Sequence, residues 1–148
     1  MAASPTILYI EDNFDNRLLV KRVLQAEGYQ VVEAPDGPTG IQLAEANQPD
    51  LILMDINLPH VDGYSMTARL KAMPHLARIP VVALTANVMR GDRERSLAAG
   101  CDGYIQKPID VDQLPRQIAR FLGKQTSPLS SAEAGDKPQP ETLPKPAG

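Results

Sequence analysis

The segment DLILMDINLPHVDGY, Asp50–Tyr64, contains an apolar run that ends in a carboxylate. Leu51–Met54 shows no polar alternation, which is typical of a parallel strand covered on both faces. Asp55 follows that run directly, and Pro59 and Gly63 come within the next eight residues. A buried strand that ends in an acidic residue points to a site at the edge of a sheet, and the neighbouring segments decide which kind of site it is.

The composition limits the class of protein. The chain has 148 residues, of which 43% are hydrophobic and 4% aromatic, with no Trp, which suits one domain with an aliphatic core. The net charge is -3 without a basic stripe, so we expect no direct nucleic-acid partner. A single cysteine fits a reducing compartment. The first residues, MAASPT, show no secretory signal, and no apolar run approaches the ~20 residues of a membrane helix, so we expect a cytoplasmic protein without a membrane partner.

The last helical pattern closes at residues 121–123. Residues 124–148 contain five of the 14 prolines and only two large apolar residues, Leu129 and Leu143. Such a segment cannot bury enough apolar surface to offset the entropy that ordering would cost. We therefore predict one domain over residues 1–123 and a disordered, Pro-rich tail over residues 124–148. The alternative for the tail is a Pro-rich ligand for a partner protein.

Short apolar runs alternate with helical patterns along the predicted domain. The runs that we predict as strands are residues 7–10, 30–34, 51–54, 81–84 and 103–105. Strand–helix alternation with short connections, written (βα)5, predicts an α/β fold with an open, doubly wound, five-stranded parallel sheet. Sheets of this kind place their sites beyond the carboxyl ends of the strands.

Apolar residues between these runs recur at helical spacing. The members of the three clearest stripes are Leu19, Val20, Val23 and Leu24; Met66, Leu70 and Met73; and Leu114, Ile118, Phe121 and Leu122. A short second helix is expected to contain Ile41 and Leu43. Residues 89–99 are poorly amphipathic, so we expect a weakly anchored fourth helix there. Gly28 and Gly100 are placed to end the first and fourth helices, and Pro38 suits the first turn of the second.

Four of the five predicted strands lead into residues that can bind a cation or a phosphoryl group. Glu11 and Asp12 follow the first strand, Asp55 the third, Thr85 the fourth and Lys107 the fifth. Because the carboxyl ends of parallel strands meet at one edge of the sheet, we expect these side chains to lie together.

These motifs together resemble the receiver domain of bacterial two-component response regulators. The resemblance spans residues 5–123 and rests on Glu11-Asp12 and on the segments DLILMDINLPHVDG, PVVALTA and GYIQKP. It implies a flavodoxin-like sheet in the order 2-1-3-4-5. The sequence is most similar to single-domain regulators of the DivK type and to the receivers of hybrid histidine kinases. The start at Met1 and the Pro-rich tail favour a stand-alone regulator.

The resemblance implies that Asp55 is the phosphoacceptor and that Glu11, Asp12, Asp55 and Asn57 form a Mg²⁺ site. Crowded carboxylates raise one another's pKa values, and Mg²⁺, which prefers oxygen ligands, removes that conflict. Asn57 would supply its backbone carbonyl, and the long Glu11 side chain can bind directly or through water. A carboxylate can also act as a nucleophile toward phosphorus. Asp55 would therefore serve both as a cation ligand and as the phosphoacceptor.

The resemblance also implies how the signal leaves the site. Lys107 and Thr85 would each hold a phosphoryl oxygen. Phosphorylation adds about -1.5 to -2 charges at Asp55, Thr85 moves toward the phosphoryl group, and Tyr104 turns inward behind it. The surface formed by helix 4, strand 5 and helix 5 then changes for a protein partner. A histidine kinase or histidine phosphotransferase would donate the phosphoryl group, to a monomer or a phosphorylation-dependent dimer.

Three smaller expectations concern individual residues. The resemblance implies a cis peptide bond before Pro108 and assigns to Asn57 and Asn87 an influence on the rate of hydrolysis. His60 and His75 have no Cys or His at metal-binding spacing, so we interpret both as surface residues.

Three other functions share part of this pattern. A Mg²⁺-dependent aspartyl phosphatase also places Asp after a buried strand, but it needs an acid at position 57, and Asn57 cannot transfer that proton. A flavin or nucleotide module would want a Gly-rich or hydroxyl-rich loop where Glu11 and Asp12 stand. A pseudo-receiver would never be phosphorylated, and the complete residue set argues against it. We expect a phosphoacceptor signalling protein, not an enzyme that acts on an outside metabolite.

Overall fold

The computed structural model describes residues 4–58, 61–86 and 93–126. Strands and helices alternate along these residues in the predicted order. The strands are β1 (Thr6–Ile10), β2 (Gln30–Ala34), β3 (Leu51–Asp55), β4 (Val81–Thr85) and β5 (Gly103–Gln106). The helices are α1 (Phe14–Ala26), α2 (Gly37–Asn47), α3 (Gly63–Lys71), α4 (Arg93–Ala99) and α5 (Leu114–Thr126). None of the described helices is long and apolar enough to cross a membrane.

The five strands form one sheet in the order β2-β1-β3-β4-β5, and every neighbouring pair is parallel. This confirms the predicted fold class and strand order. The chain leaves β1 toward β2 on one side and continues with β3 on the other side of β1. The strand order therefore reverses at β1, and a crevice opens between the carboxyl ends of β1 and β3.

Alternate residues of the strands face two separate apolar clusters. Leu8 and Ile10 of β1 pack with residues of α2 and α3 on one face, whereas Ile7 and Tyr9 pack with residues of α1 and α5 on the other. β3 and β4 alternate in the same way, and all five residues of each are buried. Two covered faces explain why the strand sequences are apolar without interruption.

The last residues of β3 and β4 are themselves polar. Asp55 pairs in register with Leu84, and the Ile56 N–H donates to the Leu84 carbonyl at 3.1 Å. The Lys107 N–H donates to the carbonyl of Thr85 at 2.8 Å. The ladder therefore extends one residue beyond the predicted ends, and it fixes the backbone of the phosphoacceptor candidate.

The helices differ from the predictions at three places. α3 ends at Lys71 rather than reaching Met73, because Pro74 disfavours the helical conformation at the residue before it. Leu19 belongs to the predicted apolar stripe of α1 but is 45% exposed. α5 continues to Thr126, three residues into the predicted tail. α1 and α4 end where the sequence predicts, since Gly28 and Gly100 follow them with φ of 95° and 99°.

Candidate phosphoacceptor and cation site

The carboxylates predicted to form the site lie together at the carboxyl edge of the sheet. Glu11, Asp12 and Asp55 each offer an oxygen, and these oxygens lie within 4.8 Å of one another. Glu11 and Asp55 are 2% and 1% exposed, whereas Asp12 is exposed. Two carboxylates are thus withdrawn from water and a third stands at the opening.

Glu11 is held by a hydrogen bond at each of its oxygens. The Tyr9 hydroxyl donates to Oε1 at 3.1 Å, and the Asn13 N–H donates to Oε2 at 3.2 Å. Burial raises the pKa of Glu11, and the Asp55 carboxylate raises it further, while the bond from Asn13 acts in the opposite direction. Ionised Glu11 is therefore costly here, and the Lys107 ammonium offsets only part of that cost.

The loop that carries the acidic pair is fixed by the first turns of α1. Asn13 is the N-cap, and its side chain accepts the Asn16 N–H at 2.8 Å. Arg17 reaches back from α1, and its Nη1 donates to the carbonyl of Glu11 at 2.8 Å and to that of Asp12 at 3.1 Å. The backbone of both acidic residues is thereby tied to the helix.

Asp55 forms a direct ion pair with Lys107. The Nζ of Lys107 lies 2.9 Å from Oδ1 of Asp55 and 3.8 Å from Oε1 of Glu11. The Asn57 N–H also donates to Oδ1 of Asp55, at 3.1 Å. Among the described residues, the Lys107 ammonium thus faces a cluster of three carboxylates that includes Asp12. The excess of negative charge and the all-oxygen ligand set fit Mg²⁺, which binds through a few carboxylates and keeps several waters.

The remaining predicted residues lie around this cluster. Thr85 is 2% exposed at the end of β4, and the next residue, Ala86, is exposed. Asn57 is exposed beside Asp55. Tyr104 lies on β5 with 37% of its surface exposed. Thr85, the predicted hydroxyl contact of the phosphoryl group, is therefore buried at the edge of the site. Tyr104, the predicted switch residue, is partly exposed to solvent.

The smaller expectations have mixed outcomes. The peptide bond between Lys107 and Pro108 is cis, as predicted. His75 is a surface residue that pairs with Glu45 at 3.3 Å. Asn87 and His60 lie outside the described residues, so their predicted roles stay predictions.

A glycine lets α3 begin against the end of β3. The N–H of Gly63 donates to the Ile56 carbonyl at 3.0 Å. A Cβ atom at Gly63 would lie 2.7 Å from Cα of Ile56, closer than real Cβ contacts. Asp62 caps the helix, since its Oδ1 accepts the Tyr64 N–H at 2.7 Å. The segment Asp50–Tyr64 therefore supplies both the Asp55 carboxylate and the packing that fixes it.

A groove runs beside the site between α1 and the start of the β5–α5 connection. It has a volume of about 420 Å³, and Leu19, Ala86, Lys107 and Ile109 are among its lining residues. Leu19, which the sequence pattern placed in the core, belongs to this groove. Phe14, the first residue of α1, is 63% exposed.

Two residues that hold the acidic pair were not predicted from the sequence. Tyr9 precedes Glu11 by two residues in β1, and residues two apart share one face of a strand, so that spacing is the signal that could have found it. Arg17 lies six residues after Glu11 across a change from strand to helix. Its contacts depend on the direction in which α1 leaves the sheet, which the sequence does not reveal.

Comparison with known proteins identifies the family. The family model described as response regulator receiver domain matches residues 7–119. The chain belongs to this family. It is 42% identical to the polar-differentiation response regulator DivK of Brucella anthropi over 118 residues, which cover 80% of this chain and 96% of that protein.

Solved structures agree with the assignment. The receiver domain of a sensor histidine kinase from Pseudomonas aeruginosa is 40% identical, covers 82% of this chain and 99% of its own, and superimposes with a TM-score of 0.75. That structure has a magnesium ion coordinated in the active site cleft. Chemotaxis protein CheY4 of Vibrio cholerae is 25% identical and has a TM-score of 0.77, with 80% and 99% of the two chains covered.

Membership of the family establishes a general role. The chain is a response regulator receiver of two-component signalling, similar to DivK, and such a domain is a signalling protein rather than a classical enzyme. Receiver domains bind Mg²⁺ and interact with histidine kinases and downstream targets. Both groups suggested by the sequence, DivK-type regulators and kinase receivers, are among its relatives.

Proposed function

We propose that this protein accepts a phosphoryl group on Asp55 from a histidine kinase or a histidine phosphotransferase. The observation that carries the proposal is the position of Asp55. Its carboxylate ends a buried strand, lies 2.9 Å from Nζ of Lys107, and shares a cluster with Glu11 and Asp12. A nucleophile that is fixed by a rigid strand and faces a lysine ammonium is suited to phosphoryl transfer, which depends mainly on positioning and electrostatics.

The reaction that we propose is a direct transfer. A carboxylate oxygen of Asp55 attacks the phosphorus of a phosphohistidine in line with the bond from phosphorus to nitrogen. That bond breaks, the imidazole leaves with the electron pair, and a new bond from oxygen to phosphorus makes an acyl phosphate. Attack by water on phosphorus later regenerates the Asp55 carboxylate and releases inorganic phosphate.

Glu11, Asp12 and Asp55, with the backbone carbonyl of Asn57, would hold Mg²⁺. When bound, the ion neutralises the crowded carboxylates and the charge of the phosphoryl oxygens. Asp12 is exposed and can meet an incoming ion first, whereas buried Glu11 is already oriented by Tyr9 and Asn13. Asn57 also donates its N–H to Asp55, so it lies close enough to take part.

Lys107 and Thr85 would bind the transferred group. The ammonium of Lys107 already contacts Oδ1 of Asp55, so a phosphoryl group attached there would meet it as a point charge. Thr85 ends the strand next to β3 and carries a hydroxyl donor. The exposed, small side chain of Ala86 leaves room for the donor to approach.

The signal would leave through the surface of α4, β5 and α5. Tyr104 and Leu97 are large apolar side chains that are 37% and 61% exposed on β5 and α4. We propose that Thr85 moves toward the phosphoryl group and that Tyr104 then turns inward, which changes what a protein partner meets. Phosphorylation would shift an existing equilibrium between the two arrangements.

The domain would assist its own phosphorylation and dephosphorylation and would not turn over an outside metabolite. Its output would be a contact with another protein, from a monomer or a phosphorylation-dependent dimer. We propose the stand-alone form first, with the receiver of a hybrid histidine kinase as the alternative, because the chain is 42% identical to a DivK regulator and the alignment covers 96% of that regulator.

The test is the intact mass of the protein after incubation with phosphoramidate or acetyl phosphate. We expect one phosphoryl group on the wild type with Mg²⁺ and none without it. Asp55→Asn should gain no mass under either condition. Asp15→Asn is the matched control, because Asp15 is an exposed carboxylate of the first turn of α1, and it should be phosphorylated like the wild type.

Other outcomes would separate the alternatives. A wild type that gains no mass at any Mg²⁺ concentration would favour the pseudo-receiver. A mass gain that persists in Asp55→Asn would place the acceptor on another residue. Rapid release of phosphate from many small phosphoesters, with no stable adduct, would favour an aspartyl phosphatase.

A further inference from the structure

A buried tyrosine lies directly beneath the acidic cluster. Tyr9 is 0% exposed, and its ring packs in the apolar cluster that α1 and α5 cover. Its hydroxyl donates to Oε1 of Glu11 at 3.1 Å. The hydrogen bond therefore connects the core of the sheet with a side chain of the cation site.

We propose that Tyr9 is a positioning residue that fixes the Glu11 carboxylate for binding a divalent cation. The inference rests on the proposed function, in which Glu11 helps to hold Mg²⁺. Tyr9 fixes Oε1 from below, and the Asn13 N–H fixes Oε2 from the loop. Because each carboxylate oxygen can accept a second interaction, both oxygens stay available to a cation or to its bound water.

The length of the side chain at position 11 makes such a device useful. Glu has one more rotatable bond than Asp, so a free Glu11 would lose more rotamer entropy on binding a cation. Ordering the carboxylate beforehand removes that cost from the binding step. The rigid strand that supplies Tyr9 is part of the sheet interior, which suits a group that must stay in place.

A second interpretation is that Glu11 merely satisfies the hydroxyl of Tyr9. A buried hydroxyl does need a partner, but a buried carboxylate costs much more than a hydroxyl. Phe at position 9 would fill the same apolar space without any polar atom. The hydrogen bond is therefore better explained by what it does for Glu11 than by what it does for Tyr9.

The first test is the affinity for Mg²⁺ alone, measured by the shifts of backbone amide resonances during titration with magnesium chloride. We expect Tyr9→Phe to bind Mg²⁺ about tenfold more weakly, the lower end of the effect of removing a residue that orients a metal ligand. Tyr29→Phe is the matched control. Tyr29 packs against the same apolar cluster, and its variant should bind Mg²⁺ like the wild type.

The second test asks whether Tyr9 acts through Glu11. In a Glu11→Ala background, we expect Tyr9→Phe to cause no further loss of Mg²⁺ affinity. Mg²⁺ should also change the near-ultraviolet absorption of tyrosine in the wild type and in Tyr29→Phe but not in Tyr9→Phe. The wild-type spectrum sums four tyrosines, so comparison with Tyr9→Phe assigns the change to Tyr9. The absence of any change in the wild type would count against the contact even if Tyr9→Phe does not fold.

The outcomes distinguish this inference from the proposed function. If Tyr9→Phe binds Mg²⁺ as tightly as the wild type, or if Mg²⁺ leaves the wild-type tyrosine spectrum unchanged, the positioning role is wrong and the cation site stands. An equal loss in the Glu11→Ala background would show that Tyr9 acts elsewhere. A wild type that does not bind Mg²⁺ would overturn both.

Discussion

Two lysines lie at opposite ends of the parallel sheet, and their surroundings differ in charge. Lys71 lies near the amino ends of β4 and β5. Its Nζ donates to the carbonyls of Ala77 and Ile79 at 3.1 and 2.8 Å and to Oδ2 of Asp102 at 2.9 Å. The same Oδ2 accepts the Val81 N–H at 2.8 Å. One cation and one anion are thus balanced, and three bonds use the three donors of the ammonium group.

Lys107, at the carboxyl ends of the strands, faces more than one carboxylate. It pairs with Asp55 at 2.9 Å and approaches Glu11 at 3.8 Å, while Asp12 completes the acidic cluster. We therefore interpret the contacts at the amino end as a structural clamp. At the carboxyl end, the residues that the structure describes carry an excess of negative charge, which costs stability. An unbalanced, partly buried charge cluster is typical of a functional site rather than of a structural one.

The largest effect on stability should come from breaking the clamp. Lys71→Met removes the donor of two backbone carbonyls and the partner of Asp102, so we expect a loss of about 2 kcal/mol in the free energy of unfolding. Urea denaturation measures it. Mg²⁺ affinity should not change, because the clamp lies at the other end of the sheet.

Lys21→Met is the control for the clamp. Lys21 pairs with Glu33 at 3.1 Å on a more exposed surface, where an ion pair contributes about 0–1 kcal/mol. If Lys71→Met costs no more than Lys21→Met, the two ends of the sheet do not differ in the way that we infer.

Removing a charge from the acidic cluster at the carboxyl end should have the opposite effect and increase the free energy of unfolding. Burial and the neighbouring Asp55 raise the pKa of Glu11, so its ionised form destabilises the fold when no cation is bound. We expect Glu11→Gln to stabilise the Mg²⁺-free protein at neutral pH, because the variant removes that buried charge. The same variant should bind Mg²⁺ more weakly. The charge that destabilises the wild type would then be the one that binds the cation.

The dependence of stability on pH follows from the direction of that shift. A folded-state pKa above the unfolded value of about 4.3 means that the folded state holds its proton longer. The contribution of Glu11 is therefore most favourable at low pH, decreases as pH rises through the raised pKa, and stays lost above it. Denaturation curves with a chelator at several pH values should show this decrease in the wild type and not in Glu11→Gln.

The sequence predicted most of the carboxyl end and little of the amino end. Asp55, Glu11, Asp12 and Lys107 each follow or end an apolar run, and parallel strands bring such residues to one edge. Lys71 and Asp102 are separated by 31 positions, and no sequence pattern connects them. Their contact depends on the turns between α3 and β4, where Pro74 ends the helical pattern and redirects the chain.

Residues that support the site were also hidden in patterns with another meaning. Tyr9 belongs to an apolar run, which predicts a core side chain and not a hydrogen-bond donor. Leu19 fits the apolar stripe of α1 by spacing, yet the helix rotates it toward the groove beside Lys107. Periodicity identifies the helix, but the packing angle decides which edge of the stripe is covered.

Arg17 tests whether the carboxyl end has a backbone clamp of its own. Like Lys71, it donates to two carbonyls, those of Glu11 and Asp12. Arg17→Met should cost about 1 kcal/mol of stability, less than Lys71→Met. Because it loosens the acidic loop, Mg²⁺ affinity should fall about tenfold, as measured by amide-shift titration.

The control for Arg17 is Arg22→Met, since Arg22 is exposed on the same helix. That variant should change neither stability nor Mg²⁺ affinity. An Arg17→Met variant with lower stability and unchanged affinity would make Arg17 a purely structural residue, equivalent to Lys71.

The smallest expected effect concerns Asp36, a carboxylate outside the acidic cluster. Asp36 is the N-cap of α2, and the hydrogen bonds from Thr39 lower its pKa, in contrast to that of Glu11. A lowered pKa stabilises the fold above the unfolded value of about 3.9, and this contribution is lost as pH falls through the folded-state pKa. Asp36→Asn keeps a good N-cap, so we expect stability to change by about zero at neutral pH. In acid, the wild type should lose stability where Asp36→Asn does not. If the wild type and Asp36→Asn lose the same stability in acid, the hydrogen bonds from Thr39 do not distinguish the charged cap from the neutral one. The difference in pKa between Asp36 and Glu11 would then come from burial alone.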